Sequence, residues 1–511
     1  MALITAAKQK NGKPLRDLGA ARYPDVTRRI AARYDAASDI LDHQNYWANA
    51  DAYDADSANS QHVRAKLVQR SRYEVGNNGY SDGIAQTYAN ALVGLGPKLR
   101  MQSLSTGFNQ MVEAEWQRWT RAVHLRRKLW CQAHAKHVDG EGFGVARNNP
   151  GVPHPVKLDY VLHETEQIQS PMLSVNEPGH IDGIEFDQWG NPTVYELLRG
   201  HPGGAYYGYE LTPERIPARF VMHWFTLRRP GQHRAVPECA STLNVGAASR
   251  RWREATIAAA ETAADFAALL KTDMAPSDED AELYAAFSET EIHKRMMTAL
   301  PAGYDVSQLR SEHPNATYET FHRAQLNEQA RPKSMPYNVA ACDSSSYNYA
   351  SGRLDHQTYH SALDVDRDDC NLLVLSPLFY LWLDEAVRVF GWLGGNPSAL
   401  GPAAFSHDWD WPKHRVADVD TEAKANETRL RTGQVSLSRL YSEAGQDFED
   451  DVAVMAKDYG VTTDEMRAIL KNAIFNAQNQ QASQQMADQQ GEQANATQPA
   501  GDAANGTQAT A

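Results

Sequence analysis

The sequence is poor in cysteine and has no apolar run long enough to cross a membrane. Its 511 residues include four cysteines, none of them in a C-x-x-C pair, which excludes a zinc ribbon or a disulfide framework and favours a reducing environment. The most apolar stretch, residues 371–383, is shorter than a bilayer crossing and contains Pro377. We therefore interpret it as a core segment and expect no membrane association. Residues 1–11 contain only a short apolar patch, so no signal peptide is predicted.

An excess of positive charge is also missing. The 50 lysines and arginines are outnumbered by 64 aspartates and glutamates, which gives a net charge of −14. Proteins that grip nucleic acid gain affinity by neutralising phosphates with basic side chains, so general nucleic-acid binding is not expected. With 42% hydrophobic and 22% charged residues, the chain has the composition of a folded protein of about two to four domains.

Motifs that carry chemistry are scarce. There is no G-x-S-x-G sequence for an acyl-transfer serine and no Walker lysine, and the glycines of residues 140–144 favour a tight turn into a strand. An EF-hand loop starting at Asp364 would need glycine and glutamate where Asp369 and Leu375 stand. We therefore interpret the acidic run 364–369 as a solvated helix face, and we predict no cofactor and no bound metal.

One enzymatic alternative remains. His134 and His137 are three residues apart on a predicted helix, and with the carboxylates of residues 364–369 they could serve a metal-dependent hydrolase. The H-E-x-x-H arrangement of many zinc enzymes is absent, so only the residue types support this interpretation. It is the alternative function for this chain.

Hydrophobic periodicity predicts an α+β fold that is mainly helical. Helical spacing of apolar residues recurs in five segments, which are residues 62–119, 317–330, 351–360, 378–393 and 421–459. Residues 140–226 change to alternating patterns, with a hairpin signal over residues 184–199 around Gly190-Asn191-Pro192. We expect this part to form a small antiparallel sheet layer.

The most distinctive helix is predicted over residues 249–271, where alanines 258–260, 263–264 and 267–268 leave little side-chain bulk. Such a helix packs closely against others, and the pattern leaves open whether these belong to the same subunit. An irregular insert, residues 273–315, separates it from the next helix. After Phe475 the chain has no aromatic, lysine or arginine residue, so disorder is predicted for this tail.

Several short segments occur in the order found in one viral family. Residues 70–80 read R-S-R-Y-E-V-G-N-N-G-Y, and residues 93–96 read V-G-L-G. The later segments are Asp139-Gly140-Glu141, His223-Trp224-Phe225, R-P-G-Q-H-R at 229–234, Met335-Pro336-Tyr337 and Y-N-Y-A-S-G-R at 347–353. In these segments the sequence resembles the lambda-type portal proteins of tailed bacteriophages.

The resemblance implies a structural protein and not an enzyme. Members of the family form a ring, usually a dodecamer, at one vertex of the capsid, and double-stranded DNA passes through it during packaging and ejection. The implied partners are further copies of the chain, the DNA, the terminase large subunit, the major capsid protein and a head-completion or adaptor protein. The implied location is the virion, and the host cytoplasm during assembly. Another capsid or tail component is a further alternative.

The resemblance also divides the chain into the parts of the portal-protein fold. These are an N-terminal arm, an α/β wing, a first stem helix, an inserted clip, a second stem helix, a tunnel loop, the rest of the wing, a helical crown and a disordered Gln/Ala-rich tail. The corresponding ranges are 1–60, 61–238, 239–273, 274–316, 317–331, 332–350, 351–420, 421–474 and 475–511.

Two sets of residues are the implied functional sites. The tunnel loop would face DNA with mostly small and polar side chains, which are Ser344, Ser345, Ser346, Tyr347, Asn348 and Tyr349. The seam between subunits would follow the first stem helix, at Ala259, Ala260, Ala263, Ala264 and Ala267. Neither set includes a catalytic residue or a metal ligand.

Overall fold

The computed structural model describes residues 47–103, 105–170, 179–204, 212–264, 268–272, 304–308, 318–345, 347–396, 406–414, 419–443, 446 and 448–473. Most of the predicted N-terminal arm and clip, and the predicted tail, lie outside these residues. The prediction of disorder after residue 475 therefore stays a prediction.

Helices make up most of the described structure. They are α1 (Ala55–Ala58), α2 (Gln61–Asn77), α3 (Gly79–Val93), α4 (Thr106–Ala122), α5 (Leu125–Val138), α6 (Leu243–Ala264), α7 (Tyr318–Ala330), α8 (Tyr337–Ala341), α9 (Tyr349–Cys370), α10 (Ser376–Phe390), α11 (Val419–Arg431), α12 (Leu437–Glu443), α13 (Phe448–Tyr459) and α14 (463–473). Gly433, between α11 and α12, has a positive φ of 71° and interrupts the segment 421–459 of predicted helical spacing. The mainly helical class is confirmed.

The strands are short. They are β1 (Lys98–Met101), β2 (Glu141–Asn148), β3 (Leu158–His163), β4 (His180–Ile181), β5 (Ile184–Phe186), β6 (Pro192–Leu197), β7 (Glu214–Pro217), β8 (Val221–Phe225), β9 (Ala268–Thr272), β10 (Tyr304–Gln308) and β11 (His407–Asp410). One sheet has the order β3-β2-β8, another β4-β5-β6-β7, and β1-β11 and β9-β10 are pairs. All these named strands pair antiparallel, and β5 and β6 form the predicted hairpin with Ile184 opposite Tyr195.

The main core contains an apolar, largely aromatic stripe of α4, which lies in the segment 62–119 of predicted helical spacing. Val112, Trp116 and Trp119 of this helix are buried. The Trp116 ring lies 5.5 Å from Phe379 and 5.2 Å from Trp382, which belong to α10. The most apolar stretch of the sequence, residues 371–383, is therefore core in part, because Phe379, Trp382 and Leu383 are buried whereas Leu372 is 64% exposed. Among the helices of the described residues, none has the length and hydropathy of a membrane span.

Glycines allow β2 to lie close to its neighbours. Gly140 has a φ of 93°, and a Cβ at this position would lie 2.2 Å from the carbonyl carbon of Val236. A Cβ at Gly144 would lie 2.0 Å from the Tyr160 ring. The predicted tight turn into a strand is confirmed, and the structure adds that side chains at these positions would collide with neighbouring chain segments.

The alanine-rich helix differs from its predicted bounds. α6 begins at Leu243 and ends at Ala264, whereas residues 268–272 form β9. In the pairing of β9 with β10, Leu270 lies opposite Val306. The prediction of a helix as far as Lys271 was wrong, because a ladder to a strand distant in the sequence prevails over the local helix propensity.

Candidate functional site

The helices α6 and α7 pack against each other and form an α6–α7 hairpin. Trp252 of α6 stacks on Tyr318 of α7 with ring centroids 4.6 Å apart, and it meets Phe321 edge-on at 4.9 Å. The strands β9 and β10 follow α6 and precede α7, and they pair with each other. The insert between the two helices therefore begins and ends beside the paired strands β9 and β10.

Two arginines of α6 contact the N-terminal helices α2 and α3. Arg250 Nη2 lies 3.3 Å from Glu74 Oε2, and Arg253 Nη2 donates a hydrogen bond to Asn78 Oδ1 at 2.7 Å. Arg251, between them, is exposed. Two of the three arginines in residues 250–253 thus make contacts within the subunit.

The outer surface of the hairpin is partly apolar. Ile257 of α6 is 59% exposed and Phe321 of α7 is 48% exposed. Of the predicted seam residues, Ala260 is exposed and Ala259 is half-buried. The side chains of Ala263 and Ala264, and the whole of Ala267, lie outside the described residues. A single subunit therefore leaves apolar surface of this hairpin in contact with water.

Four buried charges lie at the base of the hairpin, and we call them the four-charge cluster: Lys136, Glu238, Lys333 and Asp366. Lys136 Nζ lies 2.8 Å from Glu238 Oε1 and 2.9 Å from Asp366 Oδ1. Lys333 Nζ contacts Glu238 Oε2 and lies 3.2 Å from Asp366 Oδ2. The ion pairs form a closed ring of alternating sign, with side chains 0–14% exposed.

The cluster joins segments that are far apart in the sequence. Glu238 precedes α6 and Lys333 follows α7, so both ends of the hairpin contribute a charge. Lys136 belongs to α5, and Asp366 belongs to α9, the helix that follows the predicted tunnel loop. The same four charges therefore hold both the α6–α7 hairpin and α9 in position.

Burial and pairing act against each other in this cluster. Burial alone would raise the pKa of Glu238 and of Asp366, but the two lysines hold both pKa values below their usual range. Burial disfavours the charged form of a lysine, and at Lys333 this effect prevails and lowers the pKa. At Lys136 the two carboxylates prevail and raise the pKa. Both carboxylates are therefore ionised at neutral pH.

The interpretation of residues 364–369 as a solvated face was wrong for Asp366. This carboxylate pairs with both lysines and accepts a hydrogen bond from Tyr88 Oη at 2.8 Å. Asp364 has a side chain that is 62% exposed and accordingly agrees with the interpretation. The helical period of α9 places the two residues on different sides of the helix.

The residues of the hydrolase alternative do not form a metal site. His137 Nδ1 lies 3.6 Å from Glu238 Oε2, and burial lowers the pKa of His137. His134 stacks on Trp130. Neither histidine belongs to a group of three possible metal ligands in the described part of the chain. Lysine ammonium groups occupy the position beside Asp366 that a metal would need.

A second buried network connects the segments that carry the family resemblance. Glu141, at the start of β2, accepts hydrogen bonds from Arg234 Nε at 3.0 Å and Arg234 Nη2 at 2.5 Å, and His223 Nε2 lies 3.1 Å away. Burial would raise the pKa of Glu141, but Arg234 and His223 hold it well below the usual range. Nearby, Arg72 donates to both carboxylate oxygens of Asp139 at 2.8 and 2.9 Å.

The sequence pattern marks these segments as family-like but does not show which residues they contact. A buried carboxylate and a guanidinium can be paired only when the fold is known, since residues 141 and 234 lie on different segments. The sole signal in the sequence was that Glu141 and Arg234 occur in the family-like segments. The structure shows that three of these segments meet around the carboxylate of Glu141, which contacts Arg234 and His223.

The predicted tunnel loop is exposed where it is described. Ser344, Ser345 and Asn348 are exposed, Tyr347 is half-buried, and Ser346 lies outside the described residues. Tyr349 is the first residue of α9, so the loop ends at Asn348, two residues before the end of the predicted range 332–350. Asp343 accepts a hydrogen bond from the Ser345 backbone at 2.9 Å, and this bond lowers the pKa of Asp343.

Comparison with known proteins decides the family. The family described as phage portal protein, lambda family, matches residues 42–366. This chain belongs to the lambda family of phage portal proteins. A similar protein is the probable portal protein of Halomonas phage phiHAP-1, which is 23% identical over 423 residues, covering 75% of this chain and 78% of that protein.

Two solved structures show a distant likeness. One is the virion of a native gene transfer agent particle, with a TM-score of 0.40, 13% identity and coverage of 74% of this chain and 93% of that chain. The other is the neck of a native particle computed with C12 symmetry, with a TM-score of 0.38, 15% identity and the same coverage. The family itself is structural and not enzymatic, so the predicted family and the predicted non-enzymatic role are confirmed.

Proposed function

We propose that copies of this portal protein assemble into a ring at one capsid vertex, through which double-stranded DNA passes during packaging and ejection. The observation that carries the proposal is the α6–α7 hairpin with the four-charge cluster at its base. Two packed helices with partly apolar outer surfaces are fixed to the subunit body at both ends of the hairpin. Repeated around an axis, such hairpins can line a channel.

The proposal assigns the parts of the subunit by the order of the portal-protein fold. α6 and α7 are the two stem helices, with Ala259, Ala260, Ala263, Ala264 and Ala267 along the seam. The insert between β9 and β10 belongs to the clip, the tunnel loop lies within residues 332–350 and has its exposed part at residues 343–348, and α11 to α14 form the crown. The helices and sheets of residues 61–238, with α9 and α10, make up the wing. The ring would dock the terminase large subunit and later a head-completion protein, and the major capsid protein would surround it in the virion.

The width of DNA sets the number of copies. A duplex about 20 Å wide needs helix centres at least about 15 Å from the axis, because a helix is about 10 Å thick. About nine or ten upright helices spaced about 10 Å apart fill the resulting circumference. Twelve copies with tilted stem helices leave room for the duplex to pass, whereas a hexamer with one lining helix per subunit would not enclose it.

The net negative charge of the subunit favours movement of DNA through the ring over tight binding of DNA. Twelve copies with a net charge of −14 each carry about −170 in total, and such a ring repels phosphates at long range. The exposed loop residues Ser344, Ser345 and Asn348 have no charge of their own. DNA that meets small polar side chains in an acidic ring can move without being bound tightly.

The mass of the particle in solution tests the proposal. Size-exclusion chromatography with light scattering should give a particle of about twelve subunits of 56.8 kDa, which is about 0.7 MDa. Negative-stain images along the particle axis should show a central opening. A sample that stays monomeric to tetrameric at high concentration, or particles without an opening, would contradict the ring.

A bulky substitution tests the seam. Ala260→Trp adds volume at an exposed position of α6, so a single subunit can accommodate it, but a packed seam would lose about 1–3 kcal/mol per contact. The fraction of protein at ring mass should fall while the circular-dichroism spectrum stays unchanged. Ala114→Trp, at an exposed position of α4, is the matched control and should leave the ring fraction unaltered. Equal ring fractions for the two variants would contradict the seam.

A further inference from the structure

The end of α9 carries an exposed stripe that continues into the π-helical turn Asn371–Leu375. Val365 and Leu372 are each 64% exposed. Between them, Asp368 is exposed and Asp369 is half-buried. Positions 365, 368, 369 and 372 recur at three- and four-residue spacing, so the four side chains lie along one side of the helix. We call these four residues the acidic stripe.

The carboxylates of the acidic stripe have no basic partner in the described part of the subunit. Neither Asp368 nor Asp369 forms an ion pair with another described residue. Burial raises the pKa of Asp369, the carboxylates of Asp366 and Asp368 add to this effect, and Lys136 opposes it. A cation brought to the stripe from outside the subunit would therefore stabilise both charges.

The helix α2 carries an exposed stripe of the opposite charge. Val63 is 39% exposed and Tyr73 is 58% exposed, and the exposed Lys66 and Arg70 lie between them. These four residues, which we call the basic stripe, also follow three- and four-residue spacing along one side of a helix. Neither Lys66 nor Arg70 forms an ion pair with another described residue, and Glu74, the one acidic residue of α2, is buried.

The two stripes match in order and in length. Each has an apolar side chain at both ends and two like charges in the middle. At about 1.5 Å per residue, the ends lie about 15 Å apart on α2 and about 11 Å apart on α9. Lysine and arginine side chains are long and flexible, so they can cover this difference. When the two helices lie side by side, each apolar end meets an apolar end and each charge meets an opposite charge.

The helix α3 fixes the orientation of the two stripes within a subunit. It follows α2 directly, and Asn78 between them donates a hydrogen bond to Glu74 Oε1 at 2.7 Å. On α9, Arg367 Nε donates to the Leu92 carbonyl of α3 at 3.0 Å. Head-to-tail association into a closed ring requires two different, complementary surfaces held at a constant angle in every copy. The two stripes meet this requirement.

We propose that the acidic stripe of each subunit packs against the basic stripe of the next copy of this chain. The proposal rests on the proposed ring and names a contact surface outside the stem helices. One pair of helix sides buries less than the about 800 Å² per partner of a stable interface, so this contact acts together with the stem seam. Its opposite charges fix which side of one subunit faces which side of the next.

Exchange of the charges tests the contact in the full-length protein. Arg70→Glu and Asp368→Lys should each raise the protein concentration at which half of the subunits are at ring mass by at least about tenfold, because like charges then face each other. The two substitutions in one chain exchange the charges and should return this concentration to near the wild-type value. Arg127→Glu, at an exposed position of α5, is the matched control and should leave it unchanged. Light scattering over a dilution series measures the ring fraction, and circular dichroism checks folding.

Zero-length cross-linking provides a second measurement. A carbodiimide couples a lysine directly to a carboxylate that it touches. In a mixture of unlabelled and ¹⁵N-labelled wild type, mass spectrometry should find Lys66 joined to Asp368 or Asp369 in peptide pairs with one labelled member. Such pairs arise only from contacts between copies.

Each other outcome overturns the contact. If the wild type forms rings and neither single variant weakens them, the stripes do not meet, although the ring itself stands. The same conclusion follows if the double variant assembles no better than the single variants. If the wild type forms no ring, the proposed function fails, and the cross-link decides the contact separately: its absence overturns the contact, and its presence supports it in smaller assemblies.

Discussion

Glu238→Gln is expected to lower the free energy of unfolding by about 3–5 kcal/mol and to reduce the yield of rings. The substitution keeps the shape of the side chain but removes one of four buried charges. Two lysines then share the single carboxylate of Asp366, which leaves an uncompensated positive charge at the base of the α6–α7 hairpin. Denaturant unfolding monitored by circular dichroism measures the first effect, and light scattering measures the second.

A balanced double variant separates loss of charge balance from loss of contacts. Glu238→Gln combined with Lys333→Met leaves one lysine and one carboxylate, Lys136 and Asp366, still paired at 2.9 Å. We expect the double variant to be more stable than Glu238→Gln alone, because a neutral pair is restored. The free energies of unfolding lost in Glu238→Gln and in Lys333→Met should not add up to the loss in the double variant. If they do add up, the four charges do not act as one unit.

Glu141→Gln is expected to destabilise the sheet region by a similar amount, about 3–5 kcal/mol. Glu141 is buried completely and is the carboxylate that neutralises Arg234, whose side chain is 1% exposed. The amide leaves the guanidinium charged and unpaired among backbone carbonyls, including Ile168 O and Asp182 O. The midpoint of denaturant unfolding should fall, and proteolysis should become faster within residues 141–238.

Glu214→Gln is the matched control for this prediction. Glu214 also faces a guanidinium with two hydrogen bonds, from Arg147 at 3.0 and 3.1 Å. Both side chains of this pair are about a third exposed, so water screens the interaction and its contribution is about 0–1 kcal/mol. Equal destabilisation by Glu141→Gln and Glu214→Gln would show that burial of the first pair does not matter.

Regular elements with a strong local pattern were predictable. Helical spacing of apolar residues predicted the helices of residues 62–119, and the Gly190-Asn191-Pro192 turn predicted the hairpin of β5 and β6. These features depend on the periodicity of neighbouring residues and on turn geometry, which the local sequence contains. The order of short family-like segments predicted the portal family, and the match to residues 42–366 confirmed it.

Features that depend on distant partners were not predictable. Nothing in residues 364–369 distinguishes Asp366 from its neighbours, yet it is the one that pairs with Lys136 and Lys333. Residues 268–272 have helical propensity, yet they pair with β10. In both cases the deciding interaction is with a residue remote in the sequence, so local propensity cannot reveal it.

Patterns along the chain are enough to predict the helical and β-rich regions, the buried apolar stripes and, through short segments, the portal family. The burial of particular charges and the identity of their partners depend on how the chain folds. The reason is physical: a hydrophobic stripe needs only a period along the chain, whereas a buried charge is tolerated only where folding brings an opposite charge within hydrogen-bonding distance. Glu141 with Arg234, and Glu238 with Lys136 and Lys333, are pairs of this second kind.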